Sequence, residues 1–451
     1  MSVSGIYISP RNLVAFSVEF LWFAFSGVLL VTMNSATTQA PLSSIEVLDQ
    51  AAAIVAIYVT IFFLMDLYDL ELLSAWRSLL LNLVQAAGLF CVVVGAFELC
   101  TRLFMFDPRL VFSQVLLTAV FAICTRALIV SPNSSPPALV NIVAIAGAST
   151  RHAVEAENRR RRELGISLHW IAGPLEQAVN ELNRVLKLNP SIRKMCVDPN
   201  VLEDLQSIHL VQTCRERGLK LADLREFAEC AYGKAILGPG IAAGLEPSPI
   251  APVSKVARVA RRARDLILAC LGLVVTMPLT FLTVLAIRWD SPGAALFRQD
   301  RIGENGRTFT MFKFRSMYAE LTPAPDRTWT TQLDDPRVTR VGRIIRELHI
   351  DEIPQLVNVI KGEMSLVGPR PFHPDQVAEL ESTIPSYGLR HRVRPGITGW
   401  AQIRCDYGAS IERREEVFAR DLYYVKHMSF VFDLMILLDT ARVCIWRRGA
   451  R

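Results

Sequence analysis

The stretch Leu266-Ile-Leu-Ala-Cys-Leu-Gly-Leu-Val-Val-Thr-Met-Pro-Leu-Thr-Phe-Leu-Thr-Val-Leu-Ala-Ile287 decides how the rest of this chain is laid out. It is apolar and of a length that spans about 30 Å of hydrocarbon. If it crosses a membrane, everything after it lies on the opposite side from what precedes it. Two features speak instead for a helix that enters and leaves by one face. Arg258, Arg261, Arg262 and Arg264 stand before it and Arg288, Arg298 and Arg301 after it, so both flanks are cationic. Pro278 sits near the middle, where it removes a backbone N–H and kinks a helix. An ordinary kinked span is the alternative.

Toward the N-terminus, residues 13–33, 50–66, 78–100 and 110–130 are further apolar runs of spanning length, the second the shortest. Residues 34–49 carry Glu46 and Asp49 but no Lys or Arg, which places them outside, whereas Arg77 and Arg126 belong inside. Arg102 and Arg109, in the loop 101–109, run against that rule. The expectation is four spans with both ends cytoplasmic. Glu19 lies within the first and reads either as a functional ionisable group or as a side chain facing a partner helix. Arg11 precedes a long apolar run with no small-residue cleavage site, so no cleavable signal is expected.

The 451 residues suffice for two to four domains, and 51% of them are hydrophobic. Mean hydropathy is +0.30. The formal charge of +6 is concentrated beside apolar segments, which suits anionic lipid headgroups better than nucleic acid. Nine Cys, an odd total without a C-x-x-C spacing, and seven scattered His without an H-E-x-x-H pair argue against a disulfide framework and a zinc site.

After the linker Ser131-Pro-Asn-Ser-Ser-Pro-Pro137, Leu139 to Ala146 reads as a buried strand. Gly147-Ala148-Ser149 then turns into a helix near Arg151. This is where a dinucleotide-binding turn would stand, but its three glycines are missing. Strand-like runs at 166–171 and 193–197 alternate with helical stretches at 174–188 and 202–217, a small βαβ pattern. Nucleotide binding, a spacer, and a regulatory or dimerising role are all compatible with it. The run Arg159-Arg-Arg-Arg162 is a solvated helix face or a contact to headgroups. The domain plan is therefore a transmembrane region at 1–133, a Rossmann-like domain at 137–235, a Gly/Pro/Ala-rich linker at 236–254 and a final domain at 255–451.

In the final domain, Asp351-Glu352-Ile-Pro-Gln-Leu356 places two adjacent carboxylates at the start of a predicted helix. Gly368-Pro-Arg-Pro371 follows. A carboxylate can act as nucleophile on phosphorus, a neighbouring acid can hold a metal, and an arginine fixed between prolines presents a rigid fork to phosphate. A lone Asp before Pro354 would read as a plain N-cap. Arg346 is a second phosphate ligand or an ion-pair partner of Glu347 or Asp351. Lys313 and Arg315 alternate in a strand-like run and would share a face, either holding phosphate or packing against acids. Arg394 to Trp400 forms a tight turn, bordering a nucleotide or purely structural. Farther on, Phe418, Leu422 and Val425 share a helix face, and Phe430 to Trp446 is almost wholly apolar. Both are read as interfacial or packed on the membrane helix, not as spans.

An ordered series of motifs over residues 255–451 resembles the bacterial polyprenyl-phosphate glycosylphosphotransferases. It comprises Asp265, Ser291-Pro-Gly293, Phe297-Arg-Gln-Asp-Arg301-Ile-Gly303, Phe312-Lys313-Phe314-Arg315-Ser316-Met317, the Asp351-Glu352 pair, Met364-Ser-Leu-Val-Gly-Pro-Arg-Pro371 and Arg394-Pro-Gly-Ile-Thr-Gly-Trp-Ala-Gln402. The ending, with Tyr407-Gly-Ala-Ser410, Asp421-Leu-Tyr-Tyr424 and Arg448-Gly-Ala-Arg451, is similar to members tied to exopolysaccharide loci. The resemblance implies a membrane α plus α/β protein: a four-helix transmembrane region, a small Rossmann-like domain and a mainly helical phosphoglycosyl transferase domain with a re-entrant membrane helix. The family breaks that helix at a Ser-Pro pair; here it is Met277-Pro278, with Thr276 as the nearest hydroxyl. The resemblance also implies that Asp351 attacks the sugar-linked phosphate of a UDP-sugar and that UMP leaves. Undecaprenyl phosphate then attacks the resulting intermediate. Glu352, with Asp351, would bind Mg²⁺. It further implies residence in the bacterial inner membrane, membrane lipids as partners and a homodimer by analogy. A non-catalytic scaffold of a polysaccharide assembly complex is the rival reading; a transporter lacks broken helices or paired charges in the four spans.

Overall fold

The computed structural model describes residues 2–3, 6–7, 10–38, 43–65, 67, 76–101, 107–129, 140–160, 166–171, 175–189, 192, 194–198, 207–237, 255–318, 335–384, 386–405 and 411–446. Contacts divide the chain into two compact units, one built on residues 7–140 and the other on 141–161 and 168–451. Residues 131–137 and 238–254, expected as linkers, lie outside the described residues. So do Arg102, Arg161, Arg162, residues 407–410 and the basic tail after Trp446, while of Arg77 and Arg126 only the backbone is described.

The first unit holds α1 (Pro10–Thr38), α2 (Ser44–Leu64), α3 (Trp76–Thr101) and α4 (Pro108–Ile129). Among the described residues, Ala15–Ala36, Ser44–Leu64 and Pro108–Thr125 are long and apolar enough to cross a membrane, and α3 contributes the apolar stretch Asn82–Gly95. Helix α2 starts earlier than the expected residue 50, so Glu46 and Asp49 are helical and not part of a loop. The reason is a capping box: Ser43 N donates to Glu46 Oε2 at 2.8 Å, and Glu46 N donates to Ser43 Oγ at 3.3 Å. Aromatic rings pin the helices together. Tyr58 stacks on Phe23 at 5.1 Å and on Phe90 at 4.0 Å, and Trp22 stacks on Phe121 at 4.3 Å. Glu19 is fully buried and accepts a hydrogen bond from Thr125 Oγ1 at 3.2 Å, so it faces a partner helix.

The second unit begins with a four-stranded sheet of β1 (Val140–Ile145), β2 (Ile166–Trp170), β3 (Lys194–Val197) and β4 (Lys220–Asp223), in the order β2-β1-β3-β4. Strand β1 runs parallel to β3, and β3 to β4. Helices α5 (Ala148–Arg160), α6 (Leu175–Leu188), α7 (Ser207–Glu216) and α8 (Leu224–Tyr232) follow the strands in turn. Val143, Leu182, Met195, Val197 and Cys214 form the core between them. The βαβ pattern read from the sequence is present; β4 and α8 extend it. Helix α8 ends on Gly233, at φ +63, and the Gly233 carbonyl accepts the Trp400 indole N–H at 2.6 Å. A Cβ at that glycine would press on the Trp400 ring. Ala235 N donates to Ala419 O at 2.9 Å and Lys426 pairs with Glu229 at 2.8 Å, so three contacts tie the end of this sheet domain to the final domain.

Helix α9 (Lys255–Asp290) carries the stretch on which the layout turns. It is one uninterrupted helix with Pro278 inside it, so the expected break at Met277-Pro278 does not appear as an interruption. A single proline forfeits one backbone bond while the rest of the ladder continues. The hydroxyl of Thr276 donates to the Gly272 carbonyl at 2.6 Å, supplying a side-chain bond in the turn before the proline. Ile267, Leu271, Val274, Val275, Met277, Phe281 and Leu282 are each more than half exposed. The first turns of the same helix do the opposite work. Arg262 donates to the Val359 and Ile360 carbonyls at 2.6 and 2.8 Å, and Asp265 accepts from Ser365 Oγ at 2.6 Å. Arg261 and Arg264 both pair with the buried Asp433, at 2.9 and 2.8 Å.

On this base sit an antiparallel hairpin of β5 (Leu296–Ile302) and β6 (Thr308–Phe314), helix α10 (Arg340–Glu347), helix α11 (Gln355–Lys361) and a parallel pair of β7 (Ser365–Val367) and β8 (Gly396–Thr398). Helices α12 (Pro374–Thr383), α13 (Trp400–Arg404), α14 (Ile411–His427) and α15 (Phe430–Trp446) complete it. Phe418, Leu422 and Val425 are buried, as their spacing implies, and so are the α15 acids Asp433 and Asp439. Asn358 is the polar hub. It is fully buried, donates to Thr310 O at 2.8 Å and to Glu363 Oε2 at 2.7 Å, and accepts from Phe312 N at 3.1 Å. Those bonds lock α11 to β6. Asn358→Ala strands buried donors and acceptors, at about 1–3 kcal/mol for each unsatisfied group. Thermal unfolding in detergent should show a clear fall in midpoint; an unchanged midpoint would contradict this role for Asn358.

Candidate active site

Asp351 and Glu352 do not open a helix. They lie in a 3₁₀ turn, Ile350–Glu352, entered through His349 in the left-handed region at φ 54. A non-glycine residue held there is backbone strain that the surroundings must sustain. Helix α11 begins only at Gln355 with Pro354 as its cap, so Asp351 is not an N-cap and the charge on the pair is not balanced by a helix end. Side chains from distant segments balance it instead.

Lys313, near the end of β6, puts Nζ 3.0 Å from Glu352 Oε1. Arg370, in the Gly-Pro-Arg-Pro turn, puts Nη2 3.1 Å from the same oxygen. The Glu352 side chain is only 14% exposed. Burial works to raise its carboxyl, but Lys313 and Arg370 more than offset this and hold it far below the usual carboxylate range. Asp351 goes the other way. Burial raises its carboxyl; Lys313 opposes, the adjacent Glu352 charge adds to the rise, and Arg370 and Arg346 pull against it, with a net increase. Among the described residues no side chain or backbone group donates a hydrogen bond to the Asp351 carboxylate. Two neighbouring acids are thus driven apart, one tethered and held toward its ionised form, the other more basic and without a hydrogen-bond donor among the described residues.

The expected residues do not all converge. Arg346, in the last turn of α10, acts on Asp351 through its charge. Arg315 does not join the cluster. Strand β6 ends at Phe314, and the Arg315 guanidinium turns away to the Ser291 and Pro292 carbonyls, both at 2.7 Å, and to Ser291 Oγ at 2.9 Å. Its pleat-based pairing with Lys313 is corrected accordingly: it fastens the turn after α9. The Arg394–Trp400 turn backs the Arg370 turn. Gly396 N donates to Pro369 O at 3.0 Å and Gly368 N to Thr398 O at 2.9 Å. A Cβ on either Gly368 or Gly396 would collide with the opposite backbone. Arg390 and Asp421 form a fully buried pair at 2.7 Å, and Arg390 Nη2 also donates to the Arg370 carbonyl at 2.8 Å.

One further cation belongs to the neighbourhood. Arg301 was legible only as part of a motif. Its register partner across the hairpin is Phe309, four residues along β6 from Lys313, so Arg301 and Lys313 lie on one face of the ribbon. Burial, together with the Arg370 charge, pushes the Arg301 guanidinium down to about 10, against an upward pull from Glu352.

A family profile described as bacterial sugar transferase matches residues 256–447. The chain is 40% identical over 190 residues to a UDP-N-acetylgalactosamine-undecaprenyl-phosphate N-acetylgalactosaminephosphotransferase of Aeromonas hydrophila, covering 42% of this chain and 44% of that protein. It is 47% identical over 195 residues to an undecaprenyl-phosphate glucose phosphotransferase of Komagataeibacter xylinus, covering 42% and 36%. It is 40% identical over 185 residues to the exopolysaccharide production protein PSS of Rhizobium leguminosarum bv. phaseoli, covering 40% of this chain and 92% of that protein. The profile match falls in the final domain, with α9 and the acidic turn inside it. The chain belongs to the bacterial sugar transferase family. It spans less than half of the Aeromonas and Komagataeibacter proteins.

The opposed shifts have a consequence for stability. A carboxyl raised in the folded state binds its proton more tightly than in the unfolded chain. Stability therefore falls as pH rises from the unfolded value, about 4, through the folded one, and the full cost is present above it. Asp351→Asn should raise the thermal midpoint at pH 7 relative to wild type, with the difference shrinking toward pH 4. Equal midpoints across pH 4–7.5 would contradict the raised Asp351 carboxyl.

Proposed function

We propose that this chain transfers a sugar 1-phosphate from a UDP-sugar to undecaprenyl phosphate at the bacterial inner membrane, as the first membrane step of exopolysaccharide assembly. The reading is carried by one observation: within a family chain, Asp351 is an unbonded, more basic carboxylate beside a tethered anion and several cations. In the proposed first step a carboxylate oxygen of Asp351 attacks the sugar-linked phosphorus. The bond from that phosphorus to the bridging oxygen breaks, its electron pair leaves with UMP, and a phosphosugar-aspartyl intermediate, an acyl phosphate, remains. An oxygen of undecaprenyl phosphate then attacks the same phosphorus and returns Asp351 as carboxylate. The raised basicity of Asp351 favours attack, and Lys313 and Arg370 reduce the repulsion that an incoming diphosphate would meet.

Mg²⁺ fits the residues present. Among the described residues no three His, Cys, Asp or Glu side chains gather into a cage. Two adjacent carboxylates, Glu352 and Asp351, suit an ion that takes one or two carboxylates and fills its shell with substrate phosphate and water. Bound there, it would polarise phosphoryl oxygens. Glu352 supplies the permanent negative charge for it, and Lys313 and Arg370 fix the orientation of that carboxylate.

The exposed apolar surface of α9 supports burial in the membrane, with its cationic flanks on one side. In this reading a bend at Pro278 within the continuous helix, not a break, turns the apolar segment back toward the face it entered by, and the acidic turn stands at the cytoplasmic surface, where a lipid phosphate and a water-soluble nucleotide sugar meet.

The test is UMP release from UDP-sugars in the presence of undecaprenyl phosphate. Asp351→Asn should lower turnover at least about a thousandfold, as loss of a nucleophile does. With donor alone, wild type should become labelled by a radioactive sugar phosphate and the Asn variant should not. Undiminished turnover of the variant would sink the mechanism. EDTA should abolish release and added Mg²⁺ restore it; activity indifferent to chelation would remove the metal.

A further inference from the structure

We propose that Arg301 is a phosphate-contacting residue of this site, gripping a phosphate oxygen of a substrate together with Arg370. The inference rests on the transferase reading above and adds a residue that the motif left without a role.

Three observations carry it. First, Arg301 is anchored through both terminal nitrogens, but its guanidinium is not fully satisfied. Its Nη2 donates to Gln299 Oε1 at 2.6 Å and its Nη1 reaches Pro371 O at 3.4 Å, whereas its buried Nε finds no acceptor among the described residues. A buried guanidinium N–H without a partner is costly unless a ligand supplies the acceptor. Second, Arg301 stands close enough to Arg370 for the two charges to repel, with Glu352 the nearby anion felt by both. Glu352 Oε1 is already shared between Lys313 and Arg370, and Arg346 also acts on Asp351, so the two carboxylates of the turn face four cations. An anion brought by the substrate resolves that imbalance. Third, the hairpin register sets the span of the site. Arg301 and Lys313 lie on the same face, about 13 Å apart along the ribbon at ~3.3 Å per residue. Two long side chains reaching inward from those ends bracket Glu352, which suits a ligand larger than a single ion.

Phosphate reaches this site in two chemical forms, on the nucleotide and on the lipid carrier. Binding of UMP and of farnesyl phosphate to the detergent-solubilised full chain, measured separately for wild type, Arg301→Lys and Arg301→Gln, distinguishes them. Loss of a charge-assisted contact should weaken one or both ligands about tenfold or more in the Gln variant, with partial recovery in Lys. Weakening of UMP alone assigns Arg301 to the donor; weakening of farnesyl phosphate alone assigns it to the acceptor. The ligand-free thermal midpoint is the second readout. Removing a charge repelled by Arg370 should leave it unchanged or raise it in Arg301→Gln, whereas a residue that only holds the fold together would lower it. If wild type turns over substrate and the Gln variant binds both ligands as tightly as wild type, the inference falls. If wild type neither binds these ligands nor releases UMP, the transferase reading falls with it.

Discussion

The final domain is organised around the need to keep one ionised carboxylate, Glu352, in a mostly buried turn. A carboxylate there without cations would take up a proton. Lys313 and Arg370 prevent this, and they come from segments 39 residues before and 18 residues after it. Each must be delivered by its own device. Lys313 rides on β6, which Asn358 bonds to α11. Arg370 rides on a turn that Gly396 and Thr398 bond from one side and Arg390 from the other. Arg262 then fastens the far end of α11 to α9. Glu352 is thus where several long-range contacts converge, and its low proton affinity expresses how well they meet.

The parts of this arrangement that the sequence made legible share a physical character. Apolar length shows helices of spanning size, and the spacing of strand-like and helical runs shows the parallel sheet. Charge type and rigidity single out Lys313 and Arg370 as cations suited to phosphate. What the sequence could not show depended on a single backbone step. Arg315 was assigned to the face of Lys313 by alternation, but alternation holds only while the strand lasts, and β6 ends one residue earlier. The acidic pair was assigned to a helix start because Pro354 commonly stands in a first turn. His349 in the left-handed region redirects the chain before that point, and no rule of composition predicts a histidine there. The start of α2 is written in the capping-box spacing of Ser43 and Glu46, a signal that competes with the loop-like charge pattern of residues 34–49.

Helix α9 combines two kinds of surface in one element. Its first turns present Arg261, Arg262, Arg264 and Asp265 to buried acids, carbonyls and a serine of the final domain. Its later turns leave large apolar side chains uncovered. Because one continuous helix carries both, the position of the acidic turn relative to the apolar segment is set by rigid backbone. Leu356, four residues past Glu352, touches the helix at Gly272, where a Cβ would stand 3.2 Å from its side chain. That close approach places the start of α11 against the apolar segment.

The same logic reaches the sheet domain. Trp400 closes the turn that backs Arg370, and its indole N–H ends on the carbonyl of Gly233, the left-handed cap of α8. A buried indole needs that acceptor, and the carbonyl at a helix end needs a donor, so the two domains satisfy each other's exposed polarity. The route from Gly233 through Trp400, Thr398 and Gly368 to Arg370 consists of hydrogen bonds and direct chain connections with little slack: Gly396 and Gly368 approach too closely to admit a side chain. The sheet domain is therefore joined by hydrogen bonds to the final domain. It forms one wall of the support behind the turn that carries Arg370.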